Sequence, residues 1–225
     1  MISIVIPCHN EEKYIEKAYK RIRKIFPKEE IIIFDDASVD GTYDIAKNIA
    51  KKDKKVKLIH TKERIGKGAS LSKAIRMASG EYVFFIDADL SAEPSEIKKL
   101  LPYLKKGYVI VTGSRRRQKR DLIRKIMSVV FNKLVKLATG SKINDHQCGL
   151  KGFNKKEIIK ILPLVKDTHF FWDTELLVKA QWKNLKVKEV PIKWVEKGDT
   201  KVKFLKDSST MFLSIIRLFL ERLFG

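Results

Sequence analysis

The chain has 225 residues, 44% of them hydrophobic and 33% charged, which fits one large globular α/β domain with a sizeable core. Its 48 Lys and Arg against 27 Asp and Glu leave a net charge of +21. Such an excess implies an anionic partner: nucleic acid, an acidic membrane surface or a phosphorylated substrate. Two cysteines, Cys8 and Cys148, exclude a disulfide framework, and no run reaches the ~18 apolar residues of a spanning helix.

In chain order, an apolar strand over 2–7 ends in Pro7-Cys8-His9-Asn10-Glu11. A helix over 12–25 follows, with Tyr14, Ile15, Ala18, Ile22 and Ile25 on one face. A strand over 31–34 runs into Asp35-Asp36, and Asp40 is placed to cap a helix through residue 50. A third strand over 56–60 precedes Gly66-Lys67-Gly68, which opens a helix through 78. Gly80 stops that helix, and a strand over 82–86 leads to Asp87-Ala88-Asp89. Beyond it the pattern gives a helix over 96–104, a strand over 108–112, a basic amphipathic helix over 121–138 and an extended piece over 150–153. Helices over 155–162 and 173–182, a strand over 187–195 and a helix over 205–224 complete the chain. Pro191 assigns the last strand to an edge or a bulge. Alternating strands and helices through residue 114 argue for a parallel, doubly wound sheet whose ligands bind beyond the strand carboxyl ends.

Phe84-Phe85-Ile86-Asp87-Ala88-Asp89 is the most informative stretch. Three apolar residues in a row suit a strand buried on both faces, and two carboxylates at its tip repel unless a cation compensates them. A divalent metal that holds a phosphorylated ligand is the economical reading, because magnesium is bound by one or two carboxylates plus substrate phosphates. Lys67 between glycines suggests a phosphate contact. The nucleotide-loop pattern needs a further glycine upstream of Gly66, which the segment lacks, so the glycines read better as a turn and helix start. Trp172, Phe170 and Phe171 read as packing, and His60, His146 and His169 as structural.

Taken in order, IPCHNEE, FDDASVDGT, GKGAS, DADLS, GSR and DHQCG resemble family-2 glycosyltransferases of the GT-A fold. Within that family the chain resembles the branch that makes dolichyl- or polyprenyl-phosphate sugars, and FWDTELL and VPIKWVEKGDTK extend the match to residue 203. The resemblance implies a mostly parallel Rossmann-like sheet with helices on both faces. It also implies a metal-dependent inverting transfer of mannose or glucose from a GDP- or UDP-sugar to a lipid phosphate. Pro7, His9, Glu11, Phe34, Asp36, Lys67, Asp87, Ala88, Arg115 and Lys201 would then bind the nucleotide sugar. Asp87, Asp89 and Ser91 would hold Mg2+ or Mn2+; Ser91 stands where the mannosyl enzymes carry glutamine. Asp89, Arg115 and Asp145 would be catalytic, with Asp145 near the acceptor and Asp173 and Glu175 as rivals. The DHQCG and FWDTELL motifs look more like the glucosyl branch.

The tail carries its own argument. Asp207, Thr210, Ser214, Arg217 and Glu221 form one narrow polar stripe on a helix otherwise covered by Met, Phe, Leu and Ile. Such a helix must be buried in protein, in a partner such as a membrane subunit, or at a bilayer interface, and the last two are favoured because a small domain rarely buries a helix on nearly all sides. The helix over 121–138 mixes Arg124, Lys125, Lys133 and Lys136 with apolar residues, which suits an anionic lipid surface or an ordinary core contact. The expected division is a glycosyltransferase domain over 1–204 and an interfacial helix over 205–225. With no leader pattern and no disulfide framework, the expected location is the cytoplasmic face of a membrane. A polysaccharide acceptor and a non-catalytic basic membrane-binding module are the competing readings. No nucleic-acid recognition pattern appears, so nucleic acid is not an expected partner.

Overall fold

The computed structural model describes residues 1–115, 122–195 and 204–224. Seven strands form one sheet in the order β3-β2-β1-β4-β6-β5-β7: β1 Ile2–Cys8, β2 Glu30–Asp36, β3 Val56–Thr61, β4 Tyr82–Ile86, β5 Ile110–Ser114, β6 Leu150–Asn154 and β7 Val187–Pro191. The first four strands run parallel, with Ile4 opposite Ile31 and Phe84. β6 lies antiparallel between β4 and β5, and β7 pairs parallel to β5 at the edge. Pro191 therefore sits on an edge strand, where its missing N–H interrupts no central ladder.

The central strands are apolar on both faces because helices cover both. Ile4, Ile6, Ile31, Ile33, Phe84 and Ile86 point into one layer, with α1 (Ile15–Ile25), α2 (Thr42–Lys52) and α4 (Ile97–Lys105) packed over it. Val5, Ile32, Phe34, Val83 and Phe85 point into the other, against α3 (Lys67–Met77), α6 (Lys155–Ile161) and α7 (Trp172–Trp182). This period-two division is what continuous apolar strand segments mean. A smaller third cluster joins α5 (Leu122–Thr139), α7 and α8 (Phe204–Phe224) through Val135, Phe171, Val178, Ile215 and Leu218.

Three sequence expectations shift. The strand read over 31–34 extends to Asp36, so both acids end it rather than follow it. The strand read over 108–112 occupies Ile110–Ser114, which draws Gly113 and Ser114 into the ladder beside β7. The strand read over 187–195 stops at Pro191, and Trp194 returns through an isolated bridge to Ala92. Asp40 lies just ahead of α2 and still serves its start. Its carboxylate accepts from Thr42 N at 3.0 Å and from the Thr42 hydroxyl.

Candidate active site

The reversal of strand order between β1 and β4 leaves a crevice at the strand carboxyl ends, the position where open α/β sheets bind ligands. The tip of β1 and the tip of β2 are tied together. His9 Nδ1 donates to the Asp36 carbonyl at 2.7 Å, Asn10 N donates to the Ser38 hydroxyl at 2.9 Å, and Glu11 N donates to Thr42 Oγ1 at 2.7 Å. Asp35 is fully buried; it accepts from His60 Nδ1 at 2.7 Å and from the Ser38 hydroxyl.

Asp36 accepts from Ile65 N (2.8 Å), Gly66 N (2.9 Å) and the Thr61 hydroxyl (3.2 Å). In this structure the residue expected at the base or ribose anchors the loop that starts α3. Phe34 has no exposed surface and packs with Leu71 and Ile75. Its expected contact with a nucleotide is corrected: the side chain is core. Ala88 is also buried, in the opposite layer, while Pro7 and Glu11 are half-buried at the strand end. Lys201 lies outside the described residues.

The acid pair follows β4 in a tight turn, with Leu90 N donating to the Asp87 carbonyl at 3.1 Å and Leu90 at φ 53°. Ser91 braces Asp89 with both donors, its N reaching Oδ1 and its hydroxyl Oδ2, each at 2.8 Å. Burial and the neighbouring Asp87 charge hold the Asp89 carboxyl above its ordinary range, and the two Ser91 bonds offset only part of that. Asp87 N donates to the Gly149 carbonyl at 3.1 Å. A Cβ on Gly149 would fall 2.1 Å from Asp87 Oδ2, so a bare backbone at 149 is what lets the carboxylate lie there.

This donor set suits a hard divalent cation. Its oxygen donors are the carboxylates of Asp87 and Asp89, the second of them bonded by Ser91. Among the described residues no cluster of three or more His, Cys, Asp or Glu gathers to cage an ion. Asp87 and Asp89 could hold Mg2+ or Mn2+ whose remaining positions are filled by phosphate oxygens and water. Ser91, expected as a third ligand, is placed to support Asp89.

Cations flank the pair. Lys67, the first residue of α3, donates to Asp87 Oδ1 at 2.7 Å. Gly68 beside it permits close contact with α7, since a Cβ there would meet Trp172 Cβ at 2.4 Å. The glycines around Lys67 thus serve packing and helix start. Arg115 forms a two-pronged pair with Asp145, Nε to Oδ2 at 2.9 Å and Nη2 to Oδ1 at 2.7 Å, and stacks 5.1 Å from the Trp194 ring centre. Burial would raise the Asp145 carboxyl, but Arg115 outweighs it and holds the group below the usual range. A carboxylate so held is a poor proton acceptor, and its visible part is to orient Arg115.

One group escaped the sequence reading. Lys151 has no exposed surface, donates to the Cys148 carbonyl at 2.7 Å and pairs with Asp173 at 3.1 Å. Lys67 and Lys151 both lie by the Phe85 ring, 5.5 and 5.3 Å from its centre. The available signal was a lysine inside an otherwise apolar buried strand. Glu175 is likewise buried and accepts two bonds from Arg217 of α8, at 2.8 and 2.7 Å. His146 is structural: burial and Lys151 lower it to about 3, and Asn132 and Ser141 satisfy the neutral ring. Burial and Asp145 push the Cys148 thiol up to about 12, so it is unreactive at neutral pH.

Next to this crevice, α5 and α8 present an apolar platform. Ile215 and Leu218 face inward, whereas Phe212, Leu213, Phe219, Leu220, Leu223 and Phe224 of α8 are exposed. Ile126, Val130, Leu134 and Leu137 of α5 are exposed as well, with Lys125 and Lys133 among them. No helix among the described residues is long and apolar enough to cross a membrane.

Residues 3–162 match the sequence profile described as Glycosyl transferase family 2. Glycosyltransferase AglD of Haloferax volcanii is 34% identical over 96% of this chain and 36% of its own length. Dolichyl-phosphate beta-glucosyltransferase ALG5C of Trichomonas vaginalis is 32% identical over 89% of this chain and 66% of its own length. Dolichyl-phosphate beta-glucosyltransferase of Saccharomyces cerevisiae is 28% identical over 100% of this chain and 75% of its own. This chain thus spans only part of each relative, about a third of the first. Glucosyl-3-phosphoglycerate synthase from Mycobacterium tuberculosis, crystallised with Mn2+, UDP and glucosyl-3-phosphoglycerate, shares the fold. Its TM-score is 0.75 at 22% identity, over 99% of this chain and 79% of that one.

Proposed function

The chain belongs to glycosyl transferase family 2, and on that footing we propose that it moves a hexose from a nucleoside-diphosphate sugar to a polyprenyl phosphate of the dolichyl type. Asp87 and Asp89 at the tip of β4, flanked by Lys67 and the Arg115–Asp145 pair, carry the reading. Relatives named as dolichyl-phosphate beta-glucosyltransferases favour glucose over mannose as the sugar.

A bound Mg2+ or Mn2+, held by Asp87 and Asp89, would supply charge neutralisation for the departing diphosphate. The rest is positioning. Lys67 offers a point charge to the diphosphate, and Asp145 fixes the Arg115 fork for an anionic group beside it. The acceptor needs no strong base, because a phosphate monoester with a second pKa near ~6 is largely a dianion at neutral pH. One of its oxygens bonds to the anomeric carbon as the bond from that carbon to the diphosphate oxygen breaks. The nucleoside diphosphate leaves, and the configuration inverts.

The α5–α8 platform supports a lipid acceptor. Exposed Phe and Leu side chains suit the acyl boundary, and Lys125, Lys133 and Arg222 suit anionic headgroups. Cys8 and Cys148 are buried as thiols rather than joined in a disulfide, which suits work on the reducing, cytoplasmic side. The test is incubation with UDP-[14C]glucose, MgCl2 and polyprenyl phosphate in detergent. Label should partition into organic solvent as lipid phosphate plus one hexose. Label that appears only in water-soluble polymer, with the lipid untouched, would replace this reading by a glycan acceptor.

A further inference from the structure

We propose that Lys67 and the divalent metal are alternative cations for Asp87, so that metal and nucleotide bind cooperatively through this lysine. The proposal rests on the reading of Asp87 and Asp89 as the metal's holders. Lys67 Nζ lies 2.7 Å from Asp87 Oδ1, one of the two oxygens a metal bond would use. A metal on that oxygen and an ammonium at hydrogen-bond distance from it repel each other and compete for the same lone pairs. The lysine must therefore move when the metal binds.

The surroundings make Lys67 the mobile partner. It is the first residue of its helix, and its side chain is 23% exposed. Asp87 cannot turn far, because its N–H is tied to the Gly149 carbonyl and its carboxylate rests against the Gly149 Cα. Lys151 is fully enclosed and held by the Cys148 carbonyl and Asp173, so it cannot take Lys67's place at Asp87. A donor diphosphate brings the anionic oxygens that give the displaced ammonium a new seat. The same diphosphate completes a metal shell that two carboxylates leave open. Metal alone must displace a cation into water, whereas metal with nucleotide exchanges one ion pair for another. Coupling of this kind is reciprocal, so nucleotide raises metal affinity by the factor that metal raises nucleotide affinity.

The test measures binding rather than turnover. Mn2+ is titrated into wild type, Lys67→Met and Lys67→Gln, with and without UDP, and free Mn2+ is read by electron paramagnetic resonance. Removing a unit positive charge beside the metal should tighten Mn2+ binding without UDP about tenfold or more. The factor by which UDP improves Mn2+ affinity should shrink by at least as much. Lys73→Met, an exposed lysine of the same helix, controls for net charge and should behave as wild type. Equal Mn2+ affinities without UDP in wild type and both Lys67 variants would overturn the proposal, as would equal tightening by Lys73→Met. Wild type covers the case of a misfolded variant. Its Lys67 amine should be slow to acetylate alone and should change reactivity when Mg2+ and UDP are added together. No change in wild type overturns the exchange. Binding of UDP with no Mn2+ retained by any protein removes the metal assignment itself, and the exchange with it.

Discussion

Asp89 and Asp145 illustrate how environment divides one residue type between two tasks. Asp89 is raised by burial and by Asp87, which makes it poor as a lone anion and receptive to a cation. Asp145 is lowered by Arg115 despite its burial, which makes it a fixed counter-ion. Replacement of Asp89 by Ala should therefore lower kcat/KM by several orders of magnitude while the thermal melt stays near wild type, measured by lipid-product assay and calorimetry. Replacement of Arg115 by Ala should act differently. It leaves a buried carboxylate without its partner, so stability should fall by about 3 kcal/mol, together with activity. Gly149→Ala would drive a methyl into Asp87 and should cost about 1–3 kcal/mol in denaturant unfolding. At this scale the sequence was legible where chemistry is local, and Asp87-Ala88-Asp89 announces its role by sitting at the end of Phe84-Phe85-Ile86. It was illegible where a partner comes from far along the chain. Nothing near Asp36 foretells that residues 65 and 66 fold back onto it, and nothing near Lys151 names Asp173.

Among the elements, α8 is the one whose attachment can be tested separately. Three of its residues anchor it, to α7, to the loop before α7 and to the loop before β6. Arg217 grips the buried Glu175, Glu221 meets Lys179 and Lys166, and Met211 Sδ accepts from Gln147. Burial would raise the Glu221 carboxyl, but Lys179 and Lys166 reverse this and bring it down to about 2. A carboxyl lowered on folding stabilises the native state above its unfolded pKa of ~4.3 and loses that contribution as pH falls toward 2. Docking of α8 should hold at neutral pH and weaken between about pH 4 and pH 2, read from amide exchange of its backbone. Arg217→Ala should loosen it at pH 7, because Glu175 is left buried with its charge unmatched. Helices and central strands were readable to within three residues, since caps, glycines and apolar runs mark them. The antiparallel insertion of β6 between β4 and β5 was not. Leu150-Lys151-Gly152-Phe153 carries no sign of direction, which is set by the long path that brings it back through α5.

On the scale of the whole molecule, a crevice at the strand carboxyl ends and an apolar platform of α5 and α8 lie in one body, joined by α7. The side chains that join them are Phe171 and Val178 in one cluster and Asp173 at the site. The charge of +21 and the exposed lysines of α5 predict binding to vesicles that contain anionic lipid, weakening as salt rises. Phe219→Glu combined with Leu220→Glu should abolish sedimentation with such vesicles and leave UDP binding unchanged. The amphipathic tail was visible in sequence because its polar residues fall at helical spacing; which seam faces inward, Ile215 with Leu218, required the fold. The account stands on the cation site at the tip of β4. The most direct measurement is a crystal grown with UDP-glucose and Mn2+, with data collected at the manganese edge. An anomalous peak between Asp87, Asp89 and the diphosphate is the predicted result. A diphosphate bound elsewhere, with no peak beside either carboxylate, would contradict it.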